Sequence, residues 1–431
     1  MKSSRCHSEF ETPSKGNLMS NITPLIDDLK FGDAQQKQYA LQQLEKLHDE
    51  AISHLIDAIA TVQASDVYWT LDGFDFNEEV IRKGYHSPFD LIQDTVKYRC
   101  WYVPAAVRLL IKCGKSAVPP LELLLNSDRP PVRTLAAYAL GEIGNQSASA
   151  HLIERLDTSD LEELSRSIEA LGKLRAKESV DRLIQLLPIA NLTFEVAVAL
   201  GRIHDSRALL PLAQQLKNQS SASHAVAAAI STFGPPAVEP VLNVLADQNA
   251  FYNHHLAVEV LGILGDNRAI NPIIDILSAT SNTKIEDNAV IALGKLNAKE
   301  ALPYMVKIFK TTADINLRYH AMKAIAAIGG ESAFNIFVTF IENGSFELRC
   351  LSLVGLASIE YLGNIHPLMV ALQDEDPRIR ATAAVQLANL HDPRTVDALK
   401  AACNDSDWQT RNWATEALNR IEQQSKGLDF G

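Results

Sequence analysis

Seven side chains able to move protons or to grip a polar ligand gather in the middle of this chain: His224, His254, His255, Glu259, Asp287, Tyr319 and His320. Imidazole, phenol and carboxylate are the groups of general acid–base chemistry and of polar recognition. Taken singly, each fits the solvated face of a helix. Their spacing sets them apart, because His224, His255, Asp287 and Tyr319 follow one another at intervals of 31 or 32 residues. The neighbours His254 and His255 would point about 100° apart on a helix, so they cannot chelate one metal from the same face.

Those intervals belong to a ruler that runs through most of the sequence. A marker resembling Ala-Leu-Gly starts at Ala139, Ala170, Ala199, Ala229, Val260, Ala292, Ala324, Gly355, Gln386 and Ala417, with steps of 29 to 32 residues. A related stretch, LLIKCG, starts at Leu109, and a weaker ALQQL at Ala40. Each period holds two helical patterns separated by turn chemistry, as in the Asn126–Asp128 and Pro130–Pro131 break and the stop at Gly144. The aspartate, proline, arginine and small-apolar grammar resembles HEAT-type helical repeats, in a short form. One such unit cannot bury its own apolar face, so units must stack. The expected fold is all-α, a right-handed α-solenoid of HEAT-like repeats of about 31 residues.

The ruler assigns faces. One place after the marker stand Leu140, Leu171, Leu200, Ile230 and their successors. Three places before it stand Ala136, Ser167, Val196, Val226 and theirs. A separation of four puts both columns on the core side. Five places before the marker the column turns polar: Thr134, Ser165, Phe194, His224, His255, Asp287, Tyr319 and Cys350. Four before it stands His320, and one before it stand Tyr138 and Glu259. Second helices of a solenoid line its concave side, which is where such proteins bind, so these positions predict a polar groove. The arginines six before the marker (Arg133, Arg318, Arg349, Arg380, Arg411) are expected to tie turn aspartates to helix starts, Asp128 to Arg133 and Asp376 to Arg380.

Composition narrows the classes. With 40 basic and 52 acidic side chains the net charge is −12, which disfavours nucleic acid and anionic membrane as partners. No apolar run reaches the roughly 20 residues of a membrane span, and the first residues carry no secretory pattern. Five scattered cysteines without a Cys-x-x-Cys pair fit a reduced, cytoplasmic protein. No phosphate-binding loop, dinucleotide fingerprint, serine-hydrolase elbow or zinc-protease motif is present, no metal site is expected, and no His-Glu dipeptide of the di-iron HEAT hydroxylase kind occurs.

Between Ala60 and Pro104 the period fails. Residues 68–102 hold nine of the chain's 28 aromatic residues, interleaved with Asp72, Asp75, Glu78 and Glu79. Such a segment either caps the first repeats or forms a binding wall. YWTLDGFDF from Tyr68, then RKGYHSPFDLI from Arg82 and KYRCWYVPAAVRLLIKCG from Lys97, resembles the phycobilin lyases of the E/F type. The likeness extends over nearly the whole chain, since the rest of those lyases is also a HEAT-like array. The single-chain length is similar to the phycoerythrin-specific members of cyanobacteria, which attach phycoerythrobilin or attach it and isomerise it to phycourobilin.

The resemblance implies an enzyme that holds phycoerythrobilin, as substrate and without a further cofactor, and presents it to a cysteine of a phycoerythrin subunit, the α in preference to the β. It implies Tyr68, Trp69 and Trp101 as stacking faces, and Asp72 and Asp75 as acceptors for pyrrole N–H groups. Thr134, Tyr138, His224 and Glu259 would line the rest of the groove. Isomerisation needs an acid–base pair, for which Tyr319, His320, His255 and Asp287 are the candidates. Buried, inert thiols are expected at Cys350 and Cys100. The competing expectation from the plain array is a non-enzymatic scaffold or chaperone that grips a partner protein. The expected organisation is a disordered start at 1–20, atypical repeats with the acidic-aromatic insertion at 21–104, the regular array at 105–425 and a flexible tail at 426–431.

Overall fold

The structure, a computed structural model, describes residues 15–61, 105–359 and 365–425. Among the described residues every regular element is helical, α or 3-10. The first described helix spans Lys15–Phe31. The chain divides into two compact units between Leu212 and Ala213.

The second helix of each repeat carries the polar columns. We number these α1 (Pro130–Ile143), α2 (Leu161–Leu174), α3 (Thr193–Ile203), α4 (Ser223–Ser231), α5 (His254–Leu264), α6 (Thr283–Lys295), α7 (Ile315–Ile328), α8 (Phe346–Ala357), α9 (Pro377–Leu390) and α10 (Trp408–Ser425). Within the first unit α1 packs on α2 and α2 on α3; within the second, each helix from α4 to α10 packs on the next. First helices, such as Val118–Leu124 and Val238–Leu245, back onto the second helix of their own repeat.

Both expected core columns are buried: Leu140, Leu171, Leu200, Ile230, Leu261 and Leu293 in one, Ala136, Ser167, Val196, Val226, Ala257 and Ala289 in the other. Each large side chain so buried contributes roughly 1.5–3 kcal/mol. The marker glycine sets the helix spacing. A Cβ on Gly141 would stand 2.8 Å from Ala170 Cα, on Gly172 2.8 Å from Ala199 Cα, on Gly262 2.9 Å from Ala292 Cα and on Gly294 2.9 Å from Ala324 Cα. Backbone therefore meets backbone at these four steps, glycine of one repeat against marker alanine of the next.

Turn acids start the second helices. Asp160 Oδ1 accepts the Glu163 amide at 2.9 Å, and Asp314 Oδ1 the Asn316 and Leu317 amides at 2.8 and 3.1 Å. Asn282, Ser345 and Asp376 cap α6, α8 and α9 in the same way. These acceptors satisfy amides that have no partner inside the helix.

The arginine column differs from its expected role. Arg133 donates to the Ser127 carbonyl at 2.8 Å and to Glu163 of the following repeat at 2.6 Å, not to Asp128. Arg380 donates to the Asp374 carbonyl and, through two nitrogens at 2.8 Å each, to Asp405 of the following repeat. Arg349 pairs with Asp374, Arg318 donates to the Thr312 carbonyl, and Arg411 donates to the Asp405 carbonyl. Asp376 is already engaged as the cap of α9. The planar fork instead fills the turn carbonyls and reaches across the seam between repeats.

Candidate functional site

The first turns of α4, α5 and α6, three successive repeats of the second unit, enclose a cavity of about 360 Å³. It is lined by Gln219, Ser220, Ser223 and His224, by Phe251, Tyr252, Asn253, His255 and Leu256, and by Asn282, Lys284 and Ile285. The His224 and His255 rings meet edge to face, their centroids 6.1 Å apart. The 31-residue step brings these two histidines together, as the polar column requires.

The local folding of this wall is legible in its hydrogen bonds. Asn253 sits at the N-cap of α5 yet is buried, and its amide donates to the Leu216 and Asn218 carbonyls at 2.8 and 2.9 Å. His254 is buried as well, with Nε2 2.9 Å from the Asp247 carbonyl. His254 therefore belongs to the packing and not to the polar surface where the sequence had grouped it. Its neighbour His255, rotated by one helical step, faces the cavity. Phe251 and Tyr252 stand exposed beside it on a 3-10 turn, Gln248–Asn253. Asn282 caps α6 and leaves Lys284, on its first turn, exposed at the rim.

Burial holds the His255 imidazole below its ordinary pKa, and the nearby Lys284 and His224 push the same way. A hydrogen bond with the Tyr252 backbone and, as the smallest influence, the Glu259 carboxylate oppose this. Glu259 itself is exposed one turn farther along α5 and does not line the cavity.

The next pair of repeats builds a second arrangement. His320 Nδ1 on α7 lies 2.5 Å from Asp287 Oδ1 on α6, with the two side chains 32% and 30% exposed. An ionised carboxylate only accepts, so Nδ1–H is the donor, and Nε2 is the nitrogen presented to a ligand. A carboxylate that fixes the tautomer of a part-exposed imidazole is the orienting half of an acid–base constellation. Tyr319 is exposed, its ring 6.1 Å from that of His320, with Lys323 Nζ 5.7 Å from the tyrosine centroid. Asn288 on α6 donates to the His255 carbonyl at 2.7 Å, tying this pair to the cavity wall.

Two expected site residues lie in the first unit. Thr134 is buried and its hydroxyl donates to the Pro130 carbonyl at 3.0 Å, so it offers nothing to a ligand. The short side chain has folded back onto its own helix, a local bond open to any threonine in that position. Tyr138 is half-buried, with Lys173 Nζ 5.6 Å from its ring centre. Burial, with Glu142 nearby, pushes its phenol up. Cys350 is half-buried with its thiol pushed up by burial, which keeps it protonated at neutral pH and a poor nucleophile. Tyr68, Trp69, Asp72, Asp75, Trp101 and Cys100 lie outside the described residues.

Lys284, Asn282, Phe251 and Tyr252 are lining residues that the column reading missed. They sit in and just after the connecting turns, where the marker ruler has no fixed register. The pair Phe251–Tyr252 in a polar turn was the available signal. Among the described residues no three His, Cys, Asp or Glu side chains group to hold a metal ion, and no helix is long and apolar enough to cross a membrane.

The sequence pattern described as HEAT repeats matches residues 104–168, 270–357 and 337–419. No curated protein matches the chain by sequence. Among solved structures it is similar to the karyopherin Kap121p bound to the SUMO protease Ulp1p, at TM-score 0.54 and 10% identity over 96% of this chain and 55% of that one. Kap121p alone gives TM-score 0.52 and 9% identity, again over 96% and 55%. Kap95p, in a structure with RanGDP, gives TM-score 0.52 and 11% identity over 93% of this chain and 66% of that one. The chain thus spans little more than half the length of the Kap121p structures, and at these identities the likeness is one of fold. Repeat pattern, helix pairing and structural neighbours agree that this chain is an all-α solenoid built of HEAT repeats.

Proposed function

We propose that this chain is a phycobilin lyase that joins phycoerythrobilin to a cysteine of a phycoerythrin subunit. The observation that carries the reading is the stretch from Tyr68 to Gly114, whose long acidic-aromatic motif resembles the E/F-type lyases. Groups in the second unit support the reading: a cavity edged by Phe251 and Tyr252, the Lys284 ammonium for a carboxylate, and an imidazole bonded to a carboxylate. In the reaction the partner's thiol adds across the ring A ethylidene group. One C–S bond forms, the thiol proton ends on the adjoining carbon, and nothing is oxidised. The enzyme's part is to hold one extended shape of the tetrapyrrole and to present one face. Isomerisation to phycourobilin would add a proton at one carbon and remove one at another, a task suited to His320 oriented by Asp287, with Tyr319 beside it.

Co-expression with phycoerythrobilin synthesis and separate α and β phycoerythrin subunits tests the reading. A covalently coloured subunit is expected, the α first, and absorption at the phycourobilin position would assign the isomerase step. Colourless subunits, with a second lyase active in parallel, would overturn it. A scaffold that grips a partner protein is the second reading. It is favoured by the neighbours Kap121p and Kap95p, whose structures include bound proteins. It predicts binding of a partner without colour and without dependence on His255 or Tyr319.

A further inference from the structure

We infer that the cavity between the first turns of α4, α5 and α6 is a carboxylate subsite that takes one propionate of the tetrapyrrole. This rests on the lyase reading and assigns one part of the ligand to one place.

Charge makes the first argument. The chain carries a net −12, yet no carboxylate lines this cavity. Its ionisable groups are Lys284, His224, His255 and the Tyr252 phenol, none of them a carboxylate. Such a local reversal of sign within an acidic molecule focuses potential on anions. Donor supply is the second. Lys284 brings an ammonium, and Gln219, Ser220, Ser223 and Asn282 bring neutral polar groups around the same volume. The lining comes from the first turns of three neighbouring helices, whose positive dipole ends add to the side-chain charge. Shape is the third. Phe251 and Tyr252 are exposed at the edge, with ring centroids 6.3 Å apart and planes at 71°. An inorganic anion has no use for such rings. A carboxylate carried on a flat conjugated body uses both features, its charge inside and its ring system against the aromatic edge.

The geometry also explains the poise of His255. With its pKa lowered by burial first and then by the Lys284 ammonium, it presents a polar ring and resists taking up a charge that would be costly when the site is empty.

The test compares phycoerythrobilin with its dimethyl ester by titration of visible absorbance, using the full chain and two variants. Wild type is expected to bind the diacid at least tenfold tighter than the ester, the discrimination of one charge-assisted contact. Lys284→Met keeps the apolar stem and removes the charge. It should bring the diacid to the level of the ester while leaving ester affinity unchanged. His224→Gln, on a different helix, should move the diacid in the same direction. Equal affinity for diacid and ester in wild type, or equal loss of both in the variants, would overturn the subsite while leaving the lyase reading standing. Wild type that binds neither form would remove the lyase reading and the subsite together.

Discussion

At the residue scale, the Asp287–His320 pair and His255 answer to different measurements. Asp287→Asn keeps the volume and weakens the orientation of the His320 ring. If the chain isomerises its bilin, this change is expected to slow that step by about 10²–10⁴-fold, the usual worth of a positioned acid–base group. Attachment of the unisomerised pigment should persist, and the product's absorption spectrum separates the two. His255 gives a pH signature. Its folded-state pKa lies below the unfolded value near 6.5, so the unfolded chain binds the extra proton first. Stability is therefore unaffected above that pH and falls as the solution is acidified through it, down to the depressed folded value. Denaturant midpoints measured from pH 8 to 5 should show this decline, and His255→Gln should flatten it. The polar column brought His224 and His255 together in sequence because one helix face repeats. It erred at Thr134, where a short hydroxyl turned to its own backbone, and periodicity carries no information about that choice.

At the scale of elements, the seams between repeats decide stability. Glu163 is fully buried and held by Arg133 from the preceding repeat. Arg133→Ala strands that carboxylate, and a loss of about 3–5 kcal/mol is expected in chemical denaturation. Replacing both partners by apolar residues of similar size should recover much of it. Asp160→Ala, which removes only the α2 cap, should cost about 1 kcal/mol. Aspartate and proline at the turns announced the caps. Which carboxylate Arg133 and Arg380 would reach was not legible, because that partner stands 25 to 30 residues away across a seam whose geometry no local pattern encodes.

For the whole molecule, a 31-residue period was enough to specify class and architecture, since repeats that bury one another leave little freedom of arrangement. The same plainness hides function: the array alone says only that a surface exists. The excess of acid predicts no measurable retention on DNA at physiological salt, checked by a gel shift at 0.15 M. Deleting residues 66–79, the acidic-aromatic stretch, is expected to abolish pigment attachment while far-UV circular dichroism keeps its helical shape. Persistent attachment would show that the motif's resemblance misleads.

The glycine–alanine contacts between second helices have a bearing beyond packing. Gly262 of α5 rests on Ala292 of α6, and these are the helices that carry His255 and Asp287. Helices in such contact stand about 8 Å apart, the near limit for helix pairs. The contact therefore works as a gauge block that fixes how far His255 on α5 stands from Asp287 on α6. Gly262→Ala should cost roughly 1–3 kcal/mol through overpacking. It should also open the gauge by a fraction of an ångström without altering a single polar group. A rigid substrate registers such an error at both ends at once. A short carboxylate probe, anchored at one end only, does not notice it.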